Sequence, residues 1–476
     1  FSPFSAKLLE EVVAYAKLFS ANISHQFTRQ TIRMTAMTGA AAMEIGGTTT
    51  ASEFKYMKHR SCATQEEIDD HKDTRLNIID EISFAGYDQV LSRTSHFLQC
   101  ASECTEFQYG KAAICFLGDF CQLESIDKDV IYKRAEGVFW EQALNCLVEL
   151  KGTHRYRDCP EMQRIMPGIR DNGLSPADRK VLNSRVIDGD KVKMPNPNAI
   201  RFATYFNDKR CSINMDVFRS YLAKNHADCT EHNIAETAIV IKCKANWGKS
   251  KIPLSFDQRK VLFEKCSEAS IVNSRSKHID PLLCLASGVH LMVNDNIEVH
   301  HGIANGTTTK FVKAILKKGA ILQPMQMFGY WVNSVTVDDV DQLELEWQDY
   351  DRFRGKLRVS ANHSVYKVKF PVFEMGRELR VATTMELTQF PVVVNYATTG
   401  HKLQGKSLDE LLIAQWSKVK NWAYVVLSRV RTLAGLFLEF PIPDDIDFSP
   451  HPEYLDMMER LRNTILVTPM DTTEWN

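Results

Sequence analysis

The sequence has little that marks a membrane or secreted protein. No apolar run in its 476 residues approaches the roughly 20 residues that a helix needs to cross a bilayer. The 12 cysteines are scattered, with no CxxC pair and no secretory signal, which favours reduced thiols inside a cell and argues against a cysteine metal site. Lys and Arg number 58 against 59 acidic residues, so any DNA-binding surface must come from local clustering and not from net charge.

The first residues also lack the glycine-rich loop that a nucleotide-binding sheet places before a helix. Apolar residues recur at helical spacing from Leu8 to Phe19, which predicts a helix almost from the first residue. A phosphate loop needs glycines for close backbone approach and a lysine that reaches the β and γ oxygens, but residues 4–6 before Lys7 are Phe, Ser and Ala. We interpret Lys7 as a surface helix lysine and expect the chain to begin inside a domain.

What the sequence does have is an ordinary globular composition. Hydrophobic residues make up 44% and charged residues 25%, and the length suits about three domains, each with its own core.

An apolar strand at residues 76–79 ends on two carboxylates, Asp80 and Glu81. At the carboxyl edge of a parallel sheet, one carboxylate can hold Mg²⁺ and the next can polarise the water that attacks a γ-phosphate. Acidic residues are also common at solvated strand ends and helix N-caps, so this pair alone is a weak indication.

Two later segments fit the same chemistry. A strand predicted at residues 112–117 runs into GDFCQL, which would bring Gln122 to the sheet edge that carries Glu81. Arg155, in the stretch THRYRD, can supply positive charge to a phosphoryl transition state, and a plain surface arginine is the alternative.

Hydroxyl-bearing and small residues follow the strand predicted at residues 31–36. Thr35 and Thr38 in this segment suit contact with a phosphate backbone through hydroxyls and helix-terminal amides. Packing of a helix against a strand also selects small residues, so both interpretations stay open at this point.

Taken in order, TAxTGxAA, IIDEIS, GDxxQL and HRxxD resemble the motifs of the Pif (petite integration frequency) family of superfamily-one DNA helicases, which includes helicases of Helitron-type transposons. The second half adds GVHLMVN at 288–294 and, most specifically, HKLQG at 401–405 and YVVLSRVR at 424–431. The resemblance covers about residues 5–440. It implies an α/β fold with two RecA-like parallel-sheet motor domains and small inserted wedge and β-barrel subdomains.

The implied domain boundaries follow from the order of the motifs. They are a first RecA-like domain at 1–170 with a wedge at 55–75, a second RecA-like domain at 171–306 and 389–440, an SH3-like β-barrel at 307–388, and a C-terminal tail at 441–476. The barrel segment alternates like strands with turn breaks between them, and the tail carries an amphipathic segment around 454–466.

The resemblance also implies the roles of residues around ATP and Mg²⁺. Asp80 would coordinate Mg²⁺, and Glu81 would be the general base for the attacking water. Gln122 and Arg155 would contact the γ-phosphate, and Arg429 would be an arginine finger from the second motor domain. ATP binding would draw the two domains together, and hydrolysis would let them part.

Further positions are implied for single-stranded DNA and for its coupling to the nucleotide. Four match residues that touch the backbone of the strand: Thr35, Thr38, Thr399 and His401. For His401, a core or surface histidine is the alternative. Gln404 and Gly405 would link the DNA path to the nucleotide. The expected partners are single-stranded DNA and DNA junctions, and the expected protein is a monomer with no membrane association, in the nucleus or mitochondrion of a eukaryote.

The implied function is an ATP-dependent DNA helicase that moves 5′ to 3′ in replication, repair, recombination or telomere maintenance. The missing phosphate loop has three competing explanations: a fragment or mispredicted gene, a decayed transposon copy, or a protein that has lost catalysis. A catalytically inactive DNA-binding remnant is therefore the alternative function. Two tolerable departures from the family are Ala51, where histidine is usual, and Phe84, where methionine is common. A nucleotide hydrolase without a DNA role leaves HKLQG unexplained.

Overall fold

A computed structural model gives the fold of most of the chain. It describes residues 3–22, 27–28, 30–56, 63–124, 130–134, 144–151, 154–196, 200–247, 255, 257, 280–348, 355–374, 377–464 and 466–471. The chain divides into two compact units, the first formed by 1–194, 299–301 and 400–476, and the second by 195–298 and 302–399. Within the described ranges, no helix is both long enough and apolar enough to cross a membrane.

Helices and strands alternate along the first unit, whereas strands dominate the second. The α-helices of the described residues are α1 (Pro3–Asn22), α2 (Gly39–Glu44), α3 (Thr50–Glu53), α4 (Gln65–His71), α5 (Thr94–Ala101), α6 (Pro160–Asn172), α7 (Pro176–Asn183), α8 (Asn207–Asn225), α9 (Gly400–Leu403), α10 (Trp422–Leu427) and α11 (Pro452–Thr464). The strands are β1 (Ile32–Ala36), β2 (Thr48–Thr49), β3 (Leu76–Asp80), β4 (Ala113–Phe116), β5 (Cys146–Lys151), β6 (Arg201–Thr204), β7 (Ala238–Lys242), β8 (Lys244–Trp247), β9 (Leu282–Ala286), β10 (His290–Val293), β11 (Thr308–Leu316), β12 (Gln323–Met327), β13 (Tyr330–Thr336), β14 (Val340–Trp347), β15 (Lys356–Val359), β16 (Asn362–Glu374), β17 (Arg377–Gln389), β18 (Val392–Val394), β19 (Ala397–Thr399), β20 (Leu411–Ile413), β21 (Leu436–Leu438) and β22 (Leu466–Asp471).

The first unit contains a four-stranded parallel sheet in the order β2-β1-β3-β4. Successive side chains of a strand point to opposite faces, and neighbouring residues of β3 accordingly enter two different clusters. Ile78 packs with Ala42 and Ile45, whereas Ile79 packs with Phe97 and Leu98. Both faces of the sheet are therefore covered, which explains why β3 is apolar at consecutive positions.

The link from β1 into α2 shows why small and hydroxyl residues occur there. The Thr38 side chain caps α2 by accepting a hydrogen bond from the Ala41 amide at 3.2 Å. Ala41 and Ala42 are buried against the sheet, so a larger side chain would separate helix from strand. A Cβ on Gly47 would lie 2.0 Å from the Met34 carbonyl oxygen, so only glycine fits where the chain returns past β1.

The C-terminal tail packs into the first unit. The amphipathic segment predicted there is α11, and its buried Met457 and Leu461 join the apolar cluster of the parallel sheet. Arg462 forms an ion pair with Glu149 of β5. The strand that follows, β22, pairs parallel with β5 from Leu466 opposite Cys146 onward. The tail is thus a folded part of this unit, which the sequence had not indicated beyond the helix.

The second unit is made mainly of antiparallel sheets. One has the order β15-β14-β11-β10-β18, another β12-β13-β7-β9, and a third β16-β17-β8. Helix α8 packs Phe218 and Leu222 against the second sheet, in a cluster with Val240 and Val332. A parallel pair, β6 and β19, completes the unit. The strands predicted within 343–387 are confirmed by β14, β16 and β17.

The predicted domain boundaries stay predictions. Every sheet that includes strands from 307–388 also includes a strand from outside that range. Residues 400–440, assigned by motif order to the second motor domain, belong to the same compact unit as 1–170. In the predicted wedge, residues 57–62 lie outside the described residues, and α4 with its capping box at Thr64 and Glu67 occupies part of the remainder.

Candidate functional site

Two adjacent carboxylates end the central strand β3. Asp80 and Glu81 are both buried, with 3% and 4% of their surface exposed. Burial, together with the neighbouring Glu81, raises the pKa of Asp80 to about 7. Glu81 adopts a left-handed backbone conformation (φ 56°, ψ 42°) before a 3₁₀ turn at Ile82–Phe84. That conformation costs a non-glycine residue about 1–2 kcal/mol, so the surrounding fold must impose it.

The donor set at this strand end fits a hard divalent cation. The Asp80 Oδ2 atom is buried and has no hydrogen-bond partner among the described residues. A bound cation would supply the missing partner and relieve the repulsion between the two carboxylates. Within the described ranges, no group of three or more His, Cys, Asp or Glu side chains is placed to hold a metal. A cation held by one carboxylate, water and substrate oxygens is the coordination that Mg²⁺ prefers.

The GDFCQL segment leaves the sheet at the same edge as the carboxylates, because β3 and β4 are parallel neighbours with Ile79 opposite Phe116. A Cβ on Gly118 would lie 2.7 Å from Ile82 Cγ2, so glycine is required where this segment passes the turn after Glu81. The Ile82 amide donates to the Leu117 carbonyl at 2.9 Å and ties the two loops together.

Gln122 is held by its backbone and partly by its side chain. Its Nε2 donates to the Asp119 carboxylate at 3.4 Å, while its Oε1 is buried without a hydrogen-bond partner in the described structure. The carbonyl of Gln122 accepts a hydrogen bond from Asn421 Nδ2 at 2.9 Å. Sequence reasoning missed Asn421. Its only local signal is that asparagine tolerates the left-handed conformation it adopts, with φ 65°.

Arg155 bonds residues at or next to the two most specific motifs, HKLQG at 401–405 and YVVLSRVR at 424–431. Its Nε donates to Ser407 Oγ at 2.9 Å, and its Nη1 donates to the Ser428 carbonyl at 2.9 Å. The hydroxyl of Tyr156 donates to the same carbonyl at 3.2 Å. Arg155 is half-buried, so the interpretation of a plain surface arginine does not fit its place in the structure.

Arg429 follows α10 and is buried, with 2% of its surface exposed. Its Nε donates to the Val425 carbonyl at 2.7 Å and its Nη2 to Ser428 Oγ at 2.5 Å, whereas Nη1 has no hydrogen-bond partner in the described part of the chain. Burial, followed by the nearby Arg155 guanidinium, lowers the pKa of Arg429 to about 10, and Glu81 opposes this shift. The structure therefore brings Arg155, Arg429 and Glu81 within electrostatic range of one another.

Gln404 and Gly405 lie in the turn after α9. Gly405 is left-handed (φ 81°), and both amide atoms of Gln404 are buried without hydrogen-bond partners among the described residues. Two of the buried atoms without partners, Gln404 Nε2 and Arg429 Nη1, are donors and are suited to a ligand rich in oxygen, since unsatisfied buried groups are costly. The Oε1 atoms of Gln122 and Gln404 are acceptors and are suited to a donor such as water. A nucleotide phosphate fits the two donors, because it accepts from the guanidinium and the amide N–H groups.

Residues 400–407 read GHKLQGKS and match the letters of the phosphate-loop pattern GxxxxGK[ST]. A phosphate loop cradles its ligand between a strand and the N-terminus of a long helix. Here residues 400–403 form α9 and the next regular element is strand β20. The sequence pattern of a phosphate loop is therefore present at 400–407, but the long helix that should follow the loop is not. The side chain of Lys7, in α1, lies outside what the structure describes.

The predicted DNA-contacting residues have different surroundings. Thr35 is buried and donates its hydroxyl to the Ile78 carbonyl at 3.2 Å, and Thr38 caps α2. For these two hydroxyls, the structure favours the alternative in which they stabilise strand and helix packing. His401 in α9 is half-buried, and burial lowers its pKa. Thr399, half-buried, ends β19 in the second unit. Their contact with DNA stays a prediction.

Solved structures and a curated relative match this fold. A Pif1 helicase from Bacteroides in complex with ADP-AlF3 and single-stranded DNA is 18% identical, with a TM-score of 0.61 over 92% of this chain and 89% of the other. Pif1 helicase from Candida albicans is 17% identical, with a TM-score of 0.60 over 96% and 92%. No family model matches the chain. The structural matches define the protein as an α/β protein with two RecA-like parallel-sheet domains and confirm the predicted fold class.

The sequence comparison adds one curated relative. The ATP-dependent DNA helicase Pif1 of Bdellovibrio bacteriovorus is 27% identical over 427 residues, which are 85% of this chain and 76% of the relative. This relative belongs to the same group of helicases that the ordered motifs resemble, and the resemblance stated from the sequence is confirmed.

Proposed function

We propose that the chain is an ATP-dependent DNA helicase that moves along single-stranded DNA. The observation that carries the proposal is the group of buried polar atoms without partners on Asp80, Gln122, Gln404 and Arg429, all within one compact unit. Unsatisfied buried groups are costly, and a ligand that satisfies them is favoured. Asp80 Oδ2 matches Mg²⁺, and the donors Gln404 Nε2 and Arg429 Nη1 match a nucleotide phosphate. The acceptor Gln122 Oε1 matches a water molecule. Similarity to the ATP-dependent DNA helicase Pif1 of Bdellovibrio bacteriovorus supports this reaction class.

The roles proposed for these residues follow from their chemistry. Asp80 holds Mg²⁺, which neutralises phosphate charge when it is bound. Glu81 accepts a proton from the attacking water, and its burial leaves the carboxylate little contact with bulk solvent. Arg155 and Arg429 stabilise the charge that develops on the phosphoryl group, for which a permanently charged planar guanidinium is suited. Gln122 contacts the same phosphate through its Nε2 donor, which lies 3.4 Å from the Asp119 carboxylate in this structure.

The DNA-related proposals rest on the family and on the motif positions. Thr399 and His401 contact the single strand, and Gln404 with Gly405 couples that contact to the nucleotide. We propose movement from 5′ to 3′ by a monomer that acts at single strands and DNA junctions. Such a helicase would act in replication, repair, recombination or telomere maintenance. It would work in a DNA-handling compartment, the nucleus or mitochondrion of a eukaryote.

The test is ATP hydrolysis by the whole chain with and without an oligothymidylate strand, beside Glu81→Gln. Glutamine keeps the shape of the side chain but cannot act as a base, so turnover should fall at least about 100-fold while binding of a fluorescent ADP analogue is retained. The matched control is Glu66→Gln, which changes an exposed glutamate in the first turn of α4 and should leave turnover within about twofold.

The outcomes separate the helicase from its alternative. DNA-stimulated turnover that is lost in Glu81→Gln supports the proposal, whereas turnover that survives in the variant contradicts the role of Glu81. Absence of turnover in the unmodified chain, with salt-sensitive binding of the oligothymidylate retained, would indicate instead a catalytically inactive DNA-binding protein descended from a helicase.

A further inference from the structure

Asn421 lies immediately before α10 and has no role in the motifs described above. Its backbone is left-handed (φ 65°, ψ −7°), and this turn directs the chain into the helix. Its side-chain Nδ2 donates to the Gln122 carbonyl at 2.9 Å and approaches the Phe120 carbonyl at 3.5 Å. One amide group thus spans two carbonyls of the GDFCQL segment, from a position 299 residues away in sequence.

The helix that starts at Asn421 contacts further parts of the candidate site. Its first residue, Trp422, is fully buried against α9, where a Cβ on Gly400 would lie 2.5 Å from the indole Nε1. At the other end of the helix, the Ser428 carbonyl accepts from Arg155, and Arg429 follows. The helix and its two flanking residues thus contact the Gln122 segment, Gly400 just before the HKLQG segment, and Arg155.

Apolar packing also holds the Gln122 segment, because the Phe120 ring lies against Tyr132 and Tyr454. The Asp119 carboxylate accepts from the Cys121 amide at 2.9 Å and from Gln122 Nε2 at 3.4 Å, but these bonds stay within the segment. The Asn421 bonds instead join the segment to α10, which carries Arg429 at its end. A change at Asn421 would therefore alter the placement of Gln122 relative to the arginine without removing either group.

We propose that Asn421 is a positioning residue for ATP hydrolysis, which holds the Gln122 segment in register with α10 and Arg429. The inference rests on the proposed function of this site. It makes Asn421 act through Gln122 and assigns it no contact with the nucleotide. Loss of the side chain should therefore slow turnover more than it weakens binding of ATP or DNA.

Two substitutions remove the hydrogen bonds in different ways. Asn421→Gly keeps the left-handed backbone at no steric cost but removes the amide. Asn421→Asp keeps the shape and also tolerates this conformation, but sets a carboxylate against two carbonyl oxygens. The control is Glu103→Gly, which also introduces glycine at a left-handed residue (φ 50°), but at an exposed position outside the candidate site.

Steady-state ATP hydrolysis with saturating oligothymidylate is measured for the whole chain and the three variants. We expect Asn421→Gly to lower kcat about tenfold with the KM for ATP within twofold, Asn421→Asp to lower it at least as much, and Glu103→Gly to stay within twofold. A kcat for both Asn421 variants within twofold of the unmodified chain would overturn the inference, as would equal losses in Glu103→Gly.

Hydrogen exchange separates failure of this inference from failure of the proposed function. The amides of Cys121 and Gln122 donate to Asp119 and report the order of the segment. In Asn421→Gly without nucleotide, we expect them to exchange at least about threefold faster while peptides of α5 keep their rates. If the unmodified chain shows no turnover, faster exchange still supports positioning by Asn421, and unchanged exchange at both amides refutes it.

Discussion

The Nη1 atom of Arg155 donates a hydrogen bond at 2.9 Å to the carbonyl oxygen of Ser428, the residue that precedes Arg429. One cation of the candidate site thus fixes the backbone that carries the other. Two guanidinium groups held near each other repel, and burial followed by Arg155 lowers the pKa of Arg429 to about 10. The repulsion destabilises the ligand-free protein and is relieved when an anion binds between the charges. Preorganised charge stabilises a transition state in this way.

Replacement of Arg155 by alanine should lower DNA-stimulated ATP turnover about 100-fold, because it removes a phosphate-directed charge and the contacts to Ser407 and Ser428. The matched control is Arg157→Ala, since Arg157 is exposed and forms an ion pair with its neighbour Asp158 at 3.5 Å. Steady-state kinetics of both variants check this. Equal rates in the two variants would contradict a special role for Arg155.

Arg429→Lys should lower kcat by about 100- to 1,000-fold while the positive charge is kept. The guanidinium bonds the Val425 carbonyl and the Ser428 hydroxyl and still has Nη1 available, whereas one ammonium group cannot match this planar geometry. Arg431→Lys is the control, because Arg431 is exposed and forms an ion pair with Asp409 at 3.0 Å. If single-turnover rates of Arg429→Lys equal those of the control, Arg429 is not an arginine finger.

The parts of the fold that follow from local patterns could be predicted from the sequence. Strand β3 ends at Asp80 as expected, because consecutive apolar residues before two carboxylates fit a strand buried on both faces. Helix α1 (Pro3–Asn22) and the amphipathic helix of the tail also follow from the spacing of apolar residues. These features depend on neighbours within a few positions along the chain.

The remaining features depend on contacts that no local pattern encodes. The pair Asn421 and Gln122 joins residues 299 positions apart, and the pair Arg155 and Ser428 joins residues 273 positions apart. A pattern of hydroxyl residues also cannot distinguish a threonine at a DNA-binding surface from Thr35. The hydroxyl of Thr35 donates a hydrogen bond to the Ile78 carbonyl inside the sheet. The left-handed backbone of Glu81 is imposed by the tertiary structure against its intrinsic preference.

Gly400→Ala should destabilise the protein by about 1–3 kcal/mol, because the new Cβ would lie 2.5 Å from Trp422 Nε1 and the buried indole has little room to move. Single-stranded DNA binding should weaken as well, since His401 follows in α9. The control is Gly168→Ala in α6, where nothing lies within 4 Å of the added Cβ and stability should be unchanged or higher by up to about 1 kcal/mol. Equal urea midpoints for the two variants would show that α9 tolerates the added methyl group.

The last prediction concerns the pH dependence of stability at His71, which is buried at the end of α4. Its Nδ1 donates to the Glu67 carbonyl at 2.9 Å, and its Nε2 lies 3.6 Å from Glu53 Oε1. Asp70 lies 3.8 Å from Nδ1, and Arg33 bonds both Glu53 and Asp70. Burial, followed by the Arg33 charge, lowers the pKa of His71 even though the two carboxylates oppose the shift.

Because the pKa of His71 is lower in the folded protein than the unfolded value of about 6.5, the unfolded chain takes up a proton first as the pH falls. Neutral His71 therefore contributes fully to the free energy of unfolding above about pH 6.5. Below that pH the free energy of unfolding falls, by at most about 1.4 kcal/mol per pH unit. Urea unfolding at pH 7.5 and 5.5 should show a smaller loss of stability in His71→Asn than in the unmodified protein. His96→Asn, at an exposed position of α5, should follow the unmodified protein, and a His71→Asn variant that also follows it would exclude His71 as the source of the pH dependence.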